Sequence, residues 1–501
     1  MRPAFLSAAA LAALSLPLTA GANDGVLDIV APFEIKGADP VTSGNIFIKM
    51  DLAETLVNVD PDGRLTPGLA LSWQASDDGL EWRFELRPDV VFHDGSAFDA
   101  DAAAHALNVA RAKPGLLETA PISAIAADGG DLVVTLTEPF APLPAFLSEY
   151  RSLILAPAAY GPDGEVTEVI GTGPYRVTRL DAPLRLEAQG FADHWDGPPF
   201  IDRASYQSVG RAETRALLAE SGDADYVFNL DPASVARLSG LDRLEVQSVS
   251  VPRSLLIKLN GDHPALSDAR ARQALSMAID REGLAQAILR YPAGADQILP
   301  PSLADWHSET VAPLTHDPEA ARALLADLGW QPGPDGILTR DGDRFSLVLT
   351  TYPDRPELPL SAAVLQQMFA DIGVEVVIDS TNSSEVAVRH GDGSLDMALF
   401  ARNFALVPDP IGTFLTDYAP TGDWGAMNWD SPEFTALIRD LARGEGGQPE
   451  RDRAIEILQT ELPVIPVAWY QQTAAISGAI TGAVVDPFER TLGLRSIRWA
   501  E

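Results

Sequence analysis

A strand–helix–strand pattern in the second half of the chain constrains the fold more than any other feature of the sequence. Apolar residues alternate over 345–349, recur at helical spacing over 365–372, and alternate again over 374–378. Two strands joined by a helix lie parallel in one sheet, because only a long crossover can bring the chain back to the same edge. The pattern therefore predicts an α/β fold.

Two loops follow the carboxyl ends of strands predicted in this region. Residues 351–356 follow the first strand of the unit, and residues 401–410 follow a further strand predicted at 395–400. In open α/β sheets, ligands bind in the crevice at the carboxyl ends of the strands. We therefore expect a binding site at these two loops.

The first residues have the composition of an export signal. Arg2 precedes an apolar run over residues 4–18, and residues 20–22 fit the small-residue cleavage pattern. The chain contains no cysteine, so it offers no disulfide, no thiolate metal site and no attachment point for a lipid anchor. We therefore predict a signal peptide over residues 1–22 and a periplasmic protein that is not lipid-anchored.

Charge and missing motifs exclude several classes of function. The formal net charge of −35 repels nucleic acid and anionic lipid, and we interpret it as a solubilising surface, with attraction of cationic solutes as the alternative. The sequence lacks the nucleophile elbow, the Walker loop, the paired-histidine zinc motif and the dinucleotide fingerprint. We therefore predict a protein that is not an enzyme, with no cofactor of its own and no nucleic-acid partner. A secreted hydrolase is the distant alternative.

Short segments along the chain follow one another in the order and spacing of a known family. They are, in chain order, Glu54-Thr55-Leu56, residues 65–70 with Ser72-Trp73, Val91-Phe92-His93-Asp94-Gly95, Gly171-Thr172-Gly173-Pro174-Tyr175, residues 266–281 and Ile465-Pro466. With this series the chain resembles the extracytoplasmic solute-binding proteins of the peptide/nickel class, family 5 of the solute-binding proteins of bacterial ABC importers.

The resemblance implies a two-lobed periplasmic binding protein fold of type II, in its large peptide/nickel form, with an extra subdomain inserted in the first lobe. Mapped onto this chain, lobe I comprises residues 23–258 and 471–501, the insert lies at about 62–170, and lobe II comprises 259–470. Closure of the lobes on a solute would create the surface that the membrane permease of the importer recognises. We expect a monomer, and a chemoreceptor-coupled or peptide-chaperoning role stays open as an alternative.

Single positions within the family pattern favour a carboxylate-bearing solute. Leu406 replaces the aspartate that holds the peptide amine in dipeptide-binding members, and residues 411–429 lack the histidine of members that coordinate nickel directly. Arg355 matches an arginine that grips a ligand carboxylate in some members, and a guanidinium can form two parallel bonds to such a group. The resemblance thus slightly favours a metal chelate, such as one of nickel, over a short peptide. An oligopeptide or dipeptide is the alternative, and any metal belongs to the ligand.

Four further residues are candidates for contact with the ligand. Arg402 and Phe404 stand on the second loop, and Phe404 matches an aromatic position beside the ligand in nickel-type members. Trp424 is a loop aromatic suited to the wall of a cleft, and Arg151 lies in a segment where nickel-type members carry arginines that face the ligand. For each of these residues, packing in the core or an ion pair at the surface is the alternative.

Overall fold

The computed structural model describes residues 25–353, 355, 357–404, 407–418 and 424–501. The predicted signal peptide and Leu406 lie outside these residues. Within the described part of the chain, no helix combines the length and the hydropathy that crossing a bilayer requires.

The chain alternates between strands and helices throughout. Up to residue 208 the strands are β1 (Val26–Ala31), β2 (Val57–Val59), β3 (Leu65–Pro67), β4 (Ala70–Ala75), β5 (Glu81–Leu86), β6 (Ile122–Asp128), β7 (Asp131–Leu136), β8 (Tyr175–Asp181), β9 (Arg185–Gly190) and β10 (Arg203–Ser208). The helices of this part are α1 (Pro40–Lys49), α2 (Ala100–Arg111), α3 (Leu116–Thr119) and α4 (Leu143–Phe146).

After residue 208 the strands are β11 (Tyr226–Phe228), β12 (Leu244–Leu259), β13 (Gln331–Pro332), β14 (Leu338–Arg340), β15 (Asp343–Arg344), β16 (Ser346–Thr351), β17 (Glu375–Ser380), β18 (Met397–Asn403), β19 (Val464–Ser477), β20 (Ile480–Thr481) and β21 (Arg498–Trp499). The helices are α5 (Ala212–Ser221), α6 (Pro232–Leu238), α7 (Ala269–Ala278), α8 (Arg281–Leu284), α9 (Pro318–Asp327), α10 (Glu357–Asp371), α11 (Ser384–Asp392), α12 (Ile411–Asp417), α13 (Pro432–Ala442) and α14 (Gln448–Glu461).

One sheet of ten described strands organises the molecule. Its order is β17-β16-β18-β12-β19-β11-β1-β10-β9-β8, which puts the long antiparallel strands β12 and β19 at the centre. The pairing of these two strands is interrupted between Ser250 and Ser254. The interruption divides the sheet into two halves, and β12 and β19 carry the chain from one half to the other.

The two halves repeat one arrangement of strands. In one half β1 lies between its parallel neighbours β10 and β11, and in the other half β16 lies between β17 and β18 in the same way. Asp225, just before β11, accepts a hydrogen bond from the backbone N–H of Asp28 (3.0 Å), and Asp396, just before β18, accepts one from that of Val348 (2.9 Å). The repetition confirms the predicted α/β class and the two-lobed architecture.

The unit β16–α10–β17 is the parallel strand pair that the hydrophobic pattern predicts, with Leu347 opposite Val376. The prediction for the next strand was wrong at its end. β18 continues to Asn403 because its pairing with β12 continues to that residue, which lies opposite Arg253. Arg402 therefore lies on a strand and not on the second loop.

Segments that carry the family resemblance meet in hydrogen-bonded clusters. The carboxylate of Glu54 accepts hydrogen bonds from the hydroxyl of Thr172 (2.8 Å) and the indole N–H of Trp195 (3.1 Å). The buried guanidinium of Arg281 donates to the backbone carbonyl of Pro466 (2.9 Å). Because buried polar groups need partners, these hydrogen bonds hold the segments together in the fold.

The predicted insert packs against the second half of the molecule. One continuous apolar core contains residues of the insert together with residues of β12, β16 and β18. The backbone N–H of Ala141 donates to the carbonyl oxygen of Ala442 (2.7 Å). A Cβ atom at Gly412 would lie 2.7 Å from Cζ of Phe146. The two regions are thus in close contact, while the residue boundaries of the lobes stay predictions.

Candidate functional site

A cavity of about 170 Å³ lies beside the interruption between β12 and β19. The residues that line it are Phe33, Asn45, Ile48, Lys49, Tyr150, Arg253, Asn403, Phe488, Glu489 and Arg490. Arg253 stands within the interruption itself, and Asn403 is the last residue of β18. The walls therefore come from both halves of the sheet and from the segment that follows β19, as a site between two lobes requires.

Lys49 places an ammonium group at the wall of this cavity. It is the last residue of α1, where the negative end of the helix dipole favours a cation. Its side chain is almost buried, at 8% exposure, and its Nζ lies 5.7 Å from the ring centre of Phe33 and 5.8 Å from that of Phe228. Within the described residues it makes no hydrogen bond or ion pair. Burial lowers the pKa of Lys49, although Glu489 and Asp486 oppose that shift.

Arg253 supplies a second cation from the strand that crosses between the halves. Its Nη2 lies 2.8 Å from Oε2 of Glu489. Its Nε is buried and has no hydrogen-bond partner among the described residues. The centre of its guanidinium lies 5.8 Å from the ring centre of Tyr470. An unpaired N–H on a buried guanidinium is a donor that a carboxylate at this position would satisfy.

Arg355, predicted as a ligand contact, lies beside the cavity. Its guanidinium stands 5.7 Å from the ring centre of Tyr470, the same ring that Arg253 approaches. Its Nη1 lies 4.0 Å from Oε1 of Glu357, which accepts a hydrogen bond from the Tyr470 hydroxyl (2.8 Å). One arginine from the crossing strand and one from the loop after β16 thus both lie near the ring of Tyr470. The contact of Arg355 with a ligand stays a prediction.

The positive charges of Lys49, Arg253 and Arg355 act together on Glu489. Burial alone would raise the pKa of Glu489, but Arg253, Lys49 and Arg355 outweigh burial and lower the pKa below its ordinary value. The carboxylate therefore stays ionised among three cations. Because Glu489 is the direct partner of Arg253, these two charges cancel, and the charge of Lys49 leaves the cavity positive.

Two of the predicted contacts are engaged within the second half of the molecule. The Nε of Arg402 forms an ion pair with the buried carboxylate of Asp417. Phe404 is 1% exposed, and its ring packs 6.2 Å from that of Phe414. Arg402 is therefore in an ion pair and Phe404 is packed in the core, and these were the alternatives to a contact with the ligand.

The remaining two predicted contacts also have protein neighbours. Trp424 is partly buried and packs 6.0 Å from the ring of Phe400. Arg151 pairs with the buried carboxylate of Glu149 (3.0 Å), and its guanidinium lies 4.9 Å from the ring centre of Tyr150, which does line the cavity. Arg151 therefore adjoins the cavity wall through Tyr150.

Sequence reasoning missed Lys49, Arg253 and Glu489. Arg253 gave a signal, because it is a charged residue two positions before the apolar run over 255–257 in β12. Lys49 gave no such signal, because a cation in the last turn of a helix is common. Within the described residues, no three histidine, aspartate or glutamate side chains are grouped so that they could hold a metal ion.

Comparison with known proteins gives a consistent answer. Residues 64–425 match the model of the family described as bacterial extracellular solute-binding proteins, family 5. The chain is 27% identical over 415 residues to the nickel-binding periplasmic protein of Escherichia coli K12, which covers 77% of this chain and 78% of that protein. It is 26% identical over 504 residues to the glutathione-binding protein GsiB of Salmonella typhimurium LT2, covering 95% and 93% of the two chains.

Solved structures share the fold over nearly the whole length. A nickel ABC transporter structure from Bacillus halodurans has a TM-score of 0.81 at 25% identity and covers 94% of this chain and 99% of that one. NikA from Brucella suis in complex with Fe(III)-EDTA has a TM-score of 0.85 at 21% identity, with 94% and 100% covered. Because the family match spans more than half of the sequence, the chain belongs to family 5 of the bacterial extracellular solute-binding proteins, the substrate-binding components of ABC importers.

Proposed function

We propose that this protein captures a small carboxylate-bearing solute in the cavity between its lobes and delivers it to the membrane permease of an ABC importer. Lys49 is the observation that carries the proposal. Its ammonium group is nearly buried at the cavity wall and has no hydrogen-bonding partner among the described residues. Burying a charge without a partner is unfavourable, so an anion beside Lys49 is favoured.

Two arginines would complete the recognition of a carboxylate. Arg253 carries an unpaired N–H, and Arg355 approaches the same ring of Tyr470. Hydrogen bonds to charged groups contribute about 1.5–3 kcal/mol each. A carboxylate placed between these side chains would therefore gain enough free energy to determine which solutes are retained.

The donor set favours a metal chelate over a bare metal ion. Lys49, Arg253 and Arg355 are cations, which repel a metal ion but bind the outer oxygens of carboxylates that already hold one. One relative is named as a nickel-binding protein, and one similar structure contains Fe(III)-EDTA, a metal held by carboxylates. A short peptide is the second candidate, since another relative is named as binding glutathione, a carboxylate-bearing tripeptide.

The proposal also covers the export of the protein, its location and the closure of its lobes. Residues 1–22 would direct export, and the mature chain would act in the periplasm as an unanchored monomer. Lobe II, at 259–470, would close on lobe I, at 23–258 and 471–501, and the closed face would bind the permease. Small-angle scattering should then show a smaller radius of gyration when the solute is bound.

The decisive experiment identifies the solute directly. The protein is purified from the periplasm of its native host and examined by native mass spectrometry and metal analysis. We expect a bound carboxylate, with a stoichiometric metal if the solute is a chelate. A copurified solute without any carboxylate or other acidic group would refute the proposal.

Arg355 offers a second test with a matched control. Arg355→Ala should weaken binding of the copurified solute at least tenfold, equivalent to about 1.4 kcal/mol. Arg344→Ala is the control, because both side chains are 41% exposed but Arg344 pairs with Asp335 and Glu375 outside the cavity. Calorimetry that gives equal affinities for the two variants would remove Arg355 from the site.

A further inference from the structure

Glu489 is a carboxylate that the protein itself places inside a cavity for anions. Its Oε2 accepts a hydrogen bond from Arg253, and its side chain is 11% exposed. Its backbone has a φ of 56°, in the left-handed region that residues other than glycine, asparagine and aspartate rarely adopt. Strained backbone of this kind persists only where the surroundings enforce it, and it is concentrated at functional sites.

The turn that contains Glu489 does not depend on its side chain. The carboxylate of Asp486 accepts hydrogen bonds from the backbone N–H groups of Phe488 (3.0 Å), Arg490 (2.7 Å) and Thr491 (3.2 Å). The backbone N–H of Glu489 donates to the carbonyl oxygen of Asp486 (3.0 Å). The Asp486 side chain therefore holds the turn, and the Glu489 side chain is left to face the cavity.

The charges around the cavity nearly balance when Glu489 is included. Arg253 is paired with Glu489, and Arg355 lies near Glu357, so that Lys49 is the cation without a paired acid. The opposite charges of Asp486 and Arg490, farther along the turn, offset each other. Without Glu489, the cavity would hold one more unpaired cation. The number of charges on a solute that the cavity can neutralise thus depends on this one side chain.

We propose that Glu489 is a specificity-determining residue, whose carboxylate weakens the binding of dianions more than that of monoanions. The inference rests on the proposed function, since it assumes that the solute binds at Lys49 and Arg253. A dianion brought beside Glu489 is repelled twice as strongly as a monoanion in the same position, because Coulomb energy is proportional to charge. This repulsion offsets part of the attraction by Lys49 and Arg253, which is also twice as strong for a dianion. Glu489 therefore discriminates between solutes of one shape and different charge.

Two metal complexes of one shape test this discrimination. Co(III)–EDTA and Ni(II)–EDTA are both octahedral chelates of the same ligand, with net charges of −1 and −2. Their affinities are measured by calorimetry for the wild type and for Glu489→Gln, which keeps the size of the side chain. We expect Glu489→Gln to shift the ratio of the two affinities at least tenfold toward the dianion, relative to the wild type.

Glu375→Gln is the matched control, because it removes the same unit of charge from an exposed residue that pairs with Arg344 outside the cavity. It should leave the ratio within a factor of two of the wild type. Circular dichroism and thermal unfolding establish that both variants are folded. A salt titration is the second measurement, since the effect of a charge on a charge weakens with ionic strength.

The outcomes separate the two proposals. If both complexes bind and Glu489→Gln leaves their ratio unchanged, the role of Glu489 is refuted and the proposed function stands. If neither complex binds the wild type or Glu489→Gln, the inference fails, and the proposed function is decided by the acidity of the copurified solute. If Glu375→Gln shifts the ratio as much as Glu489→Gln, the effect comes from net charge and the assignment to Glu489 is wrong.

Discussion

Replacing Lys49 by methionine should make the protein more stable and a worse binder at once. Methionine has nearly the same length and apolar stem as lysine but no charge. The ammonium of Lys49 is almost buried and has no hydrogen bond within the described residues, and burial lowers its pKa. The folded state therefore carries a cost that Glu489 and Asp486 offset only in part, and the variant removes it. A ligand role would explain why the protein keeps that cost, whereas a purely structural role does not.

The magnitudes follow from the surroundings of Lys49. Leaving a buried polar group without a partner costs about 1–3 kcal/mol in proteins, and Glu489 and Asp486 recover part of that cost through their charges. We expect Lys49→Met to raise the free energy of unfolding by about 1–2 kcal/mol. One lost hydrogen bond to a charged group corresponds to about 1.5–3 kcal/mol, which is roughly a 10- to 150-fold loss of affinity.

Two measurements on the same preparation test this pair of effects. Urea unfolding followed by tryptophan fluorescence gives the stability, and calorimetry with Co(III)–EDTA gives the affinity. Lys113→Met is the control, because Lys113 is bound to Asp39 (2.6 Å) and does not line the cavity. It should lose a little stability and keep its affinity. A Lys49→Met variant that is less stable than the wild type and binds equally well would refute the assignment of Lys49 to the anion site.

Two further predictions concern other parts of the molecule. Gly412→Ala should weaken solute binding about tenfold in calorimetry, because the added Cβ would push against Phe146. Gly391→Ala is the control, since its Cβ would meet nothing within 4 Å, and it should keep its affinity. Equal affinities for the two variants would contradict a role for the Gly412–Phe146 contact in lobe closure. Burial raises the pKa of Asp51 to about 7, so the folded state binds its proton more tightly than the unfolded state, and stability should fall as pH rises from about 4 to 7, by at most about 1.4 kcal/mol per pH unit. Asp51→Asn should remove this dependence of stability on pH, as measured by urea unfolding at several pH values. A pH profile equal to that of the wild type would refute the assignment of the dependence to Asp51.

The sequence predicted the architecture well because its signals are local or ordered along the chain. The alternation at 345–349 and 374–378 and the helical stripe at 365–372 have the periods of strand and helix, and β16, α10 and β17 follow them. Residues 222–228 and 393–399 have weakly similar sequences. The similarity corresponds to an aspartate at the same position in both halves, Asp225 before β11 and Asp396 before β18.

The site was predicted less well because it is assembled from distant segments. Lys49, Arg253 and Glu489 meet only after the sheet has formed, and no spacing along the chain indicates that they do. The limit of β18 depends on its pairing with β12, so periodicity alone ended the strand too early and left Arg402 on a loop. Phe404 is aromatic and follows a strand, which suits a ligand contact, but its burial against Phe414 is a property of the packed core.

The position of the cavity follows from the repeated halves of the sheet. Phe33 comes shortly after the carboxyl end of β1, and Asn403 ends β18, so strands of both halves end at the same place, as the rule for open α/β sheets requires. Each half also brings a cation there, Lys49 from the first and Arg355 from the second. Like charges repel, so bringing the halves together costs energy unless negative charge stands between them. Glu489 supplies part of that negative charge, and a bound anion would supply the rest. On the proposed function, the energy that closes the lobes and the energy that selects the solute would therefore arise from the same few side chains.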